Sequence, residues 1–65
     1  MSEVKVIFTL EGVNMIILCK KEDKMKDICN KYSIKIDKNI NSLIFLYGGN
    51  QLNLELRYEE IIKPS

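Results

Sequence analysis

The feature that most constrains this chain is a pair of apolar runs placed symmetrically about Glu11-Gly12. Val4, Val6, Phe8 and Leu10 alternate with Lys5, Ile7 and Thr9, and Val13 to Cys19 is a second β-branched and aliphatic run. A period of two is the signature of a strand, because successive side chains leave opposite faces. With Glu11-Gly12 as a two-residue hairpin turn, Phe8 falls opposite Met15, Val6 opposite Ile17 and Val4 opposite Cys19. These residues share one face, with Leu10 and Val13 beside the turn. A slip of one residue would send the whole apolar set to the other face, so the agreement supports this register. Glu11 is a poor residue for the positive φ that such a turn demands. The outer face of the hairpin carries Ile7, Ile16 and Leu18, where a solvated sheet face should be polar.

Beyond a polar connection at Lys20 to Lys24, the period changes. Met25, Ile28, Cys29 and Tyr32 recur at helical spacing and form one apolar stripe. Asp23 is the expected N-cap, and the helix is expected to end near Ser33. So short a helix is unstable alone in water and must dock on the hairpin. Ile34, Ile36 and Ile40 punctuate a polar stretch expected to be a loop pinned to the core edge. A third strand is expected over Leu43 to Tyr47, with Phe45 and Tyr47 on one face and Ile44 and Leu46 on the other. Gly48-Gly49 then supplies the positive φ angles of a tight turn. The stretch from Gln51 to Tyr58 reads two ways. Leu52, Leu54 and Leu56 alternate with Asn53, Glu55 and Arg57 as in a returning strand, whereas Tyr58-Glu59-Glu60-Ile61-Ile62 could open a short helical turn. Lys63-Pro64-Ser65 reads as a tail. The expected core is Val6, Phe8, Met15, Ile17, Met25, Ile28, Tyr32, Phe45 and Leu52.

The 65 residues allow one domain, read as residues 1–65 with its core at 4–62. A chain this short buries only roughly 60% of the surface its unfolded form exposes, so a partner surface would add much to its stability. The hydrophobic fraction of 46% is too high for a disordered chain. A net charge of +1 lacks the clustered basic surface that a nucleic-acid binder needs. The N-terminal residues have no signal-peptide pattern, and no apolar run approaches the ~18 residues of a membrane span. The expectation is a cytoplasmic protein that engages neither membrane nor nucleic acid.

Hairpin, helix, strand and glycine turn, in that order, resemble a β-grasp, and several residues resemble ubiquitin-like domains. Gly49-Asn50-Gln51-Leu52 and the apolar run before it are similar to the third strand of ubiquitin and the turn that follows. Asp23-Lys24-Met25-Lys26-Asp27-Ile28 is similar to the helix start of many such domains. Leu56 and Ile61 fall where ubiquitin has apolar residues in its last loop and short 3₁₀ turn. The resemblance covers about Val4 to Ile61 and implies an α+β fold: ββαβ, with a possible fourth strand at 51–58. Two features depart from it. Conjugatable relatives end in an exposed Gly-Gly, the acyl donor, whereas the only Gly-Gly here is internal. The family closes with a fifth strand between the first and third, and no counterpart is read after Ile62. Either residues 51–58 take that role or the edges of the first and third strands stay open to a partner strand.

The residues expected to bind a partner are Ile7, Ile16, Leu18, Ile44 and Leu46. They are apolar and outward-facing, and the resemblance places Ile16, Leu18, Ile44 and Leu46 on the sheet face that ubiquitin uses for its partners. The alternative is that Ile16 and Leu18 are covered by the chain's own C-terminal segment. No catalytic residue, metal site or cofactor is expected. Cys19 and Cys29 have no histidine to activate them and fit two small core residues better than a redox pair. The β-grasp ferredoxins need four cysteines for their cluster. Lys20, Lys21, Lys24 and Lys26 are interleaved with Glu22, Asp23 and Asp27, which makes a solvated face. Glu55, Glu59 and Glu60 have no paired pocket or ligand set, and Gly48-Gly49 lacks the lysine and following helix of a nucleotide loop. The expected function is a non-enzymatic ubiquitin-like module that binds another protein, or a second copy of itself, through its apolar sheet face or an open strand edge. A swapped dimer or an added strand is expected near Val4 to Leu10 or Leu43 to Tyr47. The alternative is a truncated or precursor form of a ubiquitin-like modifier or carrier.

Overall fold

The computed structural model describes residues 3–62, so the expected tail at Lys63, Pro64 and Ser65 lies outside the described residues. Strands β1 (Glu3–Leu10) and β2 (Val13–Lys20) form an antiparallel hairpin. Its register pairs Phe8 with Met15, Val6 with Ile17 and Val4 with Cys19, as the alternation predicts. Glu11 and Gly12 have φ of 52° and 81°, so both turn residues lie in the left-handed region, as a type I′ turn requires. That conformation strains an L-residue by about 1–2 kcal/mol, and asparagine tolerates it better. Glu11→Asn is therefore expected to raise stability by up to about 1 kcal/mol, seen as a higher urea midpoint at unchanged slope. A lower midpoint would mean that the Glu11 side chain makes a contact that outweighs the strain.

The turn type also sets which way the backbone of β1 points. The residues flanking a two-residue turn form a hydrogen-bonded pair, and such pairs then alternate along the ladder. Val4, Val6, Phe8 and Leu10 aim their N–H and C=O groups at β2. Lys5, Ile7 and Thr9 aim theirs at the outer edge, where no second strand lies beside β1 among the described residues.

Helix α1 (Met25–Lys35) runs two residues past the expected end. All four stripe residues, Met25, Ile28, Cys29 and Tyr32, are buried. Asp23 does not cap it. Lys24 occupies the N-cap position with no side-chain hydrogen bond, while Asp23 Oδ2 accepts from the Lys20 N–H at 2.9 Å and closes the preceding turn. The first N–H groups of the helix find backbone acceptors instead: Met25 donates to the Leu56 carbonyl at 2.7 Å and Lys26 to that of Leu54 at 2.9 Å. The C-terminus closes by a Schellman pattern, in which Asp37 donates to Ile34 at 3.1 Å and Lys38 to Ser33 at 2.9 Å. Asp37 takes the left-handed position, at φ 58°. Ile34 is helical and 70% exposed rather than a loop anchor. Ile36 packs on the core, and Ile40, half-buried, starts a 3₁₀ turn (Ile40–Ser42).

The third strand is shorter than expected. Only Leu46–Tyr47 pairs, as β3, with Asn50–Gln51 as β4. Gly48 and Gly49 make the turn between them, both at positive φ. Leu43 and Phe45 nevertheless point to the core and Ile44 and Leu46 to solvent, which keeps the expected parity as far as Leu46, whereas Tyr47, expected on the face of Phe45, is 56% exposed beside the turn. Residues 51–58 do not form a fourth strand beyond Gln51. Leu52, Leu54 and Leu56 do alternate as half-buried residues with exposed Asn53, Glu55 and Arg57, but two carbonyls of this segment are spent on the N-terminus of α1. The helical alternative forms: α2 (Tyr58–Ile61). Its first N–H groups return the favour across an antiparallel Lys24–Arg57 bridge, Tyr58 donating to Asp23 at 2.9 Å and Glu59 to Lys21 at 3.0 Å. Each helix start is thus capped by the backbone that leads into the other, which satisfies donors that would otherwise be unpaired.

The fold is a small α+β arrangement with a hairpin sheet, a helix packed on it and a second small sheet. Ile17, Cys19, Met25, Ile28 and Tyr32 form the buried cluster, and Val6, Phe8, Met15, Phe45 and Leu52 pack around it, so every expected core residue takes part. The packing is lopsided. On β2, Ile17 and Cys19 are 5% and 4% exposed, whereas Val4, Val6 and Phe8 on β1 are only half-buried. No helix among the described residues is long and apolar enough to cross a membrane.

Candidate functional site

The half-burial of the β1 side chains has a cause: a groove of about 400 Å³ runs beside that strand. Residues 5–10 of β1 supply one wall and residues 43–47 the other; the core residues Met25, Tyr32 and Leu52 form its base, and Tyr58, Ile61 and Ile62 also line it. Three aromatic rings meet there. Phe8 stacks on Tyr32 with centroids 4.3 Å apart and planes at 10°. Phe45 meets both rings edge-on, at 5.9 Å and 6.3 Å. Such pairs add about 0.5–1.5 kcal/mol beyond their burial, so the base of the groove is firm.

Among the described residues, both walls present backbone groups with no strand partner. On β1, the edge groups belong to Lys5, Ile7 and Thr9. On the other wall the Leu52 N–H donates to the Phe45 carbonyl at 2.8 Å and Tyr47 pairs with Asn50. Phe45 and Tyr47 therefore point their backbone at the returning limb, and Ile44 and Leu46, between and before them, point theirs away from it.

The structure draws together three of the five expected binding residues. Ile7, Ile44 and Leu46 all line the groove and are 64%, 76% and 66% exposed. Ile16 lies directly across from Ile7 on β2 and Leu18 across from Lys5, so both extend the apolar surface over the hairpin without lining the groove. The described C-terminal segment does not cover them, since Ile16 and Leu18 are about half exposed. The sequence places Phe8, Tyr32 and Phe45 in the core and does not mark them as the base of a groove. Its signal was present in the inward parity of Phe8 and Phe45, but parity does not show that a face is left half-open.

The two thiols are free and buried. Burial pushes the Cys29 thiol up to about 12. Cys19 is also raised, by burial first and then by the nearby Asp23 carboxylate. Both stay protonated near neutrality, and a protonated thiol is neither a nucleophile nor a metal ligand. Among the described residues, no group of three or more His, Cys, Asp and Glu is placed to hold a metal ion. Comparison of the chain with protein-family models, curated proteins and solved structures gave no match.

Proposed function

We propose that this chain is a non-enzymatic protein-binding module of the ubiquitin-like, β-grasp type, acting in the cytoplasm. The observation that carries the binding role is the convergence of exposed Ile7, Ile44 and Leu46 on a groove whose walls keep free strand edges. Exposed apolar surface at a concave site marks interaction surfaces. The β-grasp assignment is supported by the element order: hairpin, helix, extended run, glycine turn and short C-terminal helix. The two free thiols, Cys19 and Cys29, suit a reducing compartment. Neither is activated, which supports a role without catalysis. The binding role needs no cofactor, membrane or nucleic acid.

Ile44→Asp and Leu46→Asp test this reading. Both side chains are mostly exposed, so circular dichroism and the urea midpoint should stay close to those of the parent. A partner isolated with the parent chain from reduced cytosol should lose at least about thirtyfold in affinity if the patch anchors it. Equal affinity for parent and both variants would remove this face from the function.

A further inference from the structure

We propose that the groove receives a single β-strand from a partner protein, hydrogen-bonded to β1 on one side and to residues 44–46 on the other. The proposal rests on the protein-binding reading and names the partner's chemistry. Two rows of unpaired backbone groups face one apolar channel: Lys5, Ile7 and Thr9 on β1, and Ile44 and Leu46 opposite. An extended segment matches both rows, because its own N–H and C=O groups leave alternately to either side. About five residues opposite Lys5 to Thr9 span roughly 17 Å. They would send two or three side chains down onto Phe8, Tyr32 and Phe45, completing the half-buried side of the core.

The same geometry selects the source. A strand in this position must be free on both edges. In a second copy, β1 is already bound to β2, and the run ending in β3 is engaged through Phe45 and Tyr47. No strand among the described residues has both edges free. The occupant is therefore a segment unpaired in its free state, with apolar side chains at alternate positions. Among the described residues, Lys5 is the only charged side chain lining the groove, exposed on the outer face, so an acidic residue on the strand's outward side opposite it is favoured.

The probe is a nine-residue peptide, Thr-Val-Thr-Val-Glu-Val-Thr-Val-Thr, acetylated and amidated, added at millimolar concentration to the 65-residue chain. Amide hydrogen exchange at Lys5, Ile7 and Thr9 should slow at least tenfold, with smaller changes at Val6 and Phe8, whose N–H groups already bond β2. The same peptide N-methylated at alternate residues should have no effect. Ile7→Pro removes an outward N–H and leaves the ladder to β2 complete, as proline on an edge strand allows, so it should weaken peptide binding at least tenfold. If that variant does not fold, chemical synthesis with N-methyl-isoleucine at the same position replaces it, with the same expectation. Unchanged exchange at Lys5, Ile7 and Thr9, or equal affinity for the edge-blocked chain, overturns the proposal. So does protection that follows chain concentration without peptide, since that would mean a second copy fills the groove. Loss of partner binding in Leu46→Asp, together with no edge protection by peptide, would keep the module reading and discard strand insertion.

Discussion

Ile28→Ala should lower the unfolding free energy by about 2–5 kcal/mol, the range for truncating a fully buried branched side chain. Ile28 is 0% exposed and sits at the centre of the buried cluster, between the Met25 and Tyr32 turns of α1. At roughly 0.05–0.15 kcal/mol per residue, a domain of this size has about 3–10 kcal/mol in total, so the change removes from about a fifth to all of it. Urea denaturation followed by circular dichroism is the measurement. Ile34→Ala is the control, because Ile34 lies on the same helix but is 70% exposed and should change stability by no more than about 0.5 kcal/mol. Equal losses for the two variants would show that the helix does not bury the face that Met25, Ile28, Cys29 and Tyr32 define.

The second large effect is alkaline. The Cys29 thiol is pushed by burial from an ordinary value of 9.0 up to about 12. Its folded-state value is raised, so its contribution is fully present below pH 9.0. It is lost as pH rises through the window up to about 12, because the unfolded chain ionises first and is stabilised by doing so. At about 1.4 kcal/mol per pH unit, this group alone should remove about 1.4 kcal/mol by pH 10, and Cys19, also raised, acts in the same direction. Urea midpoints at pH 7.5, 9 and 10 read the loss. Cys29→Ala should be weaker at pH 7.5 but show a flatter fall above about pH 9. The same slope in both proteins would place the alkaline loss on other groups.

The hairpin was legible because its information is local. Two alternating runs and a two-residue turn leave one register that keeps Val4, Val6, Phe8, Met15, Ile17 and Cys19 together, and that is the register formed. The stripe of α1 was legible for the same reason, its period being written in contiguous residues. The caps were not. Asp23 is the residue type that favours an N-cap, yet it closes a turn onto Lys20, and the helix N-terminus takes its acceptors from Leu54 and Leu56, about thirty residues away. Tertiary hydrogen bonds overrode a local preference worth about 1 kcal/mol.

Alternation in the amino-acid sequence determined most of the side chains that face the core, including Leu52 and Leu54, with Leu56 half-buried and Tyr47 an exposed exception. Only the tertiary structure decided what the backbone of each segment binds. Parity in side chains is the same for a strand in a sheet and for an extended stretch whose carbonyls cap a helix, so residues 51–58 could be read either way. The groove beside β1 follows from that choice. Because the segment after Gln51 is held at the starts of α1 and α2, it cannot lie along Lys5, Ile7 and Thr9, and among the described residues their edge remains open over Phe8, Tyr32 and Phe45.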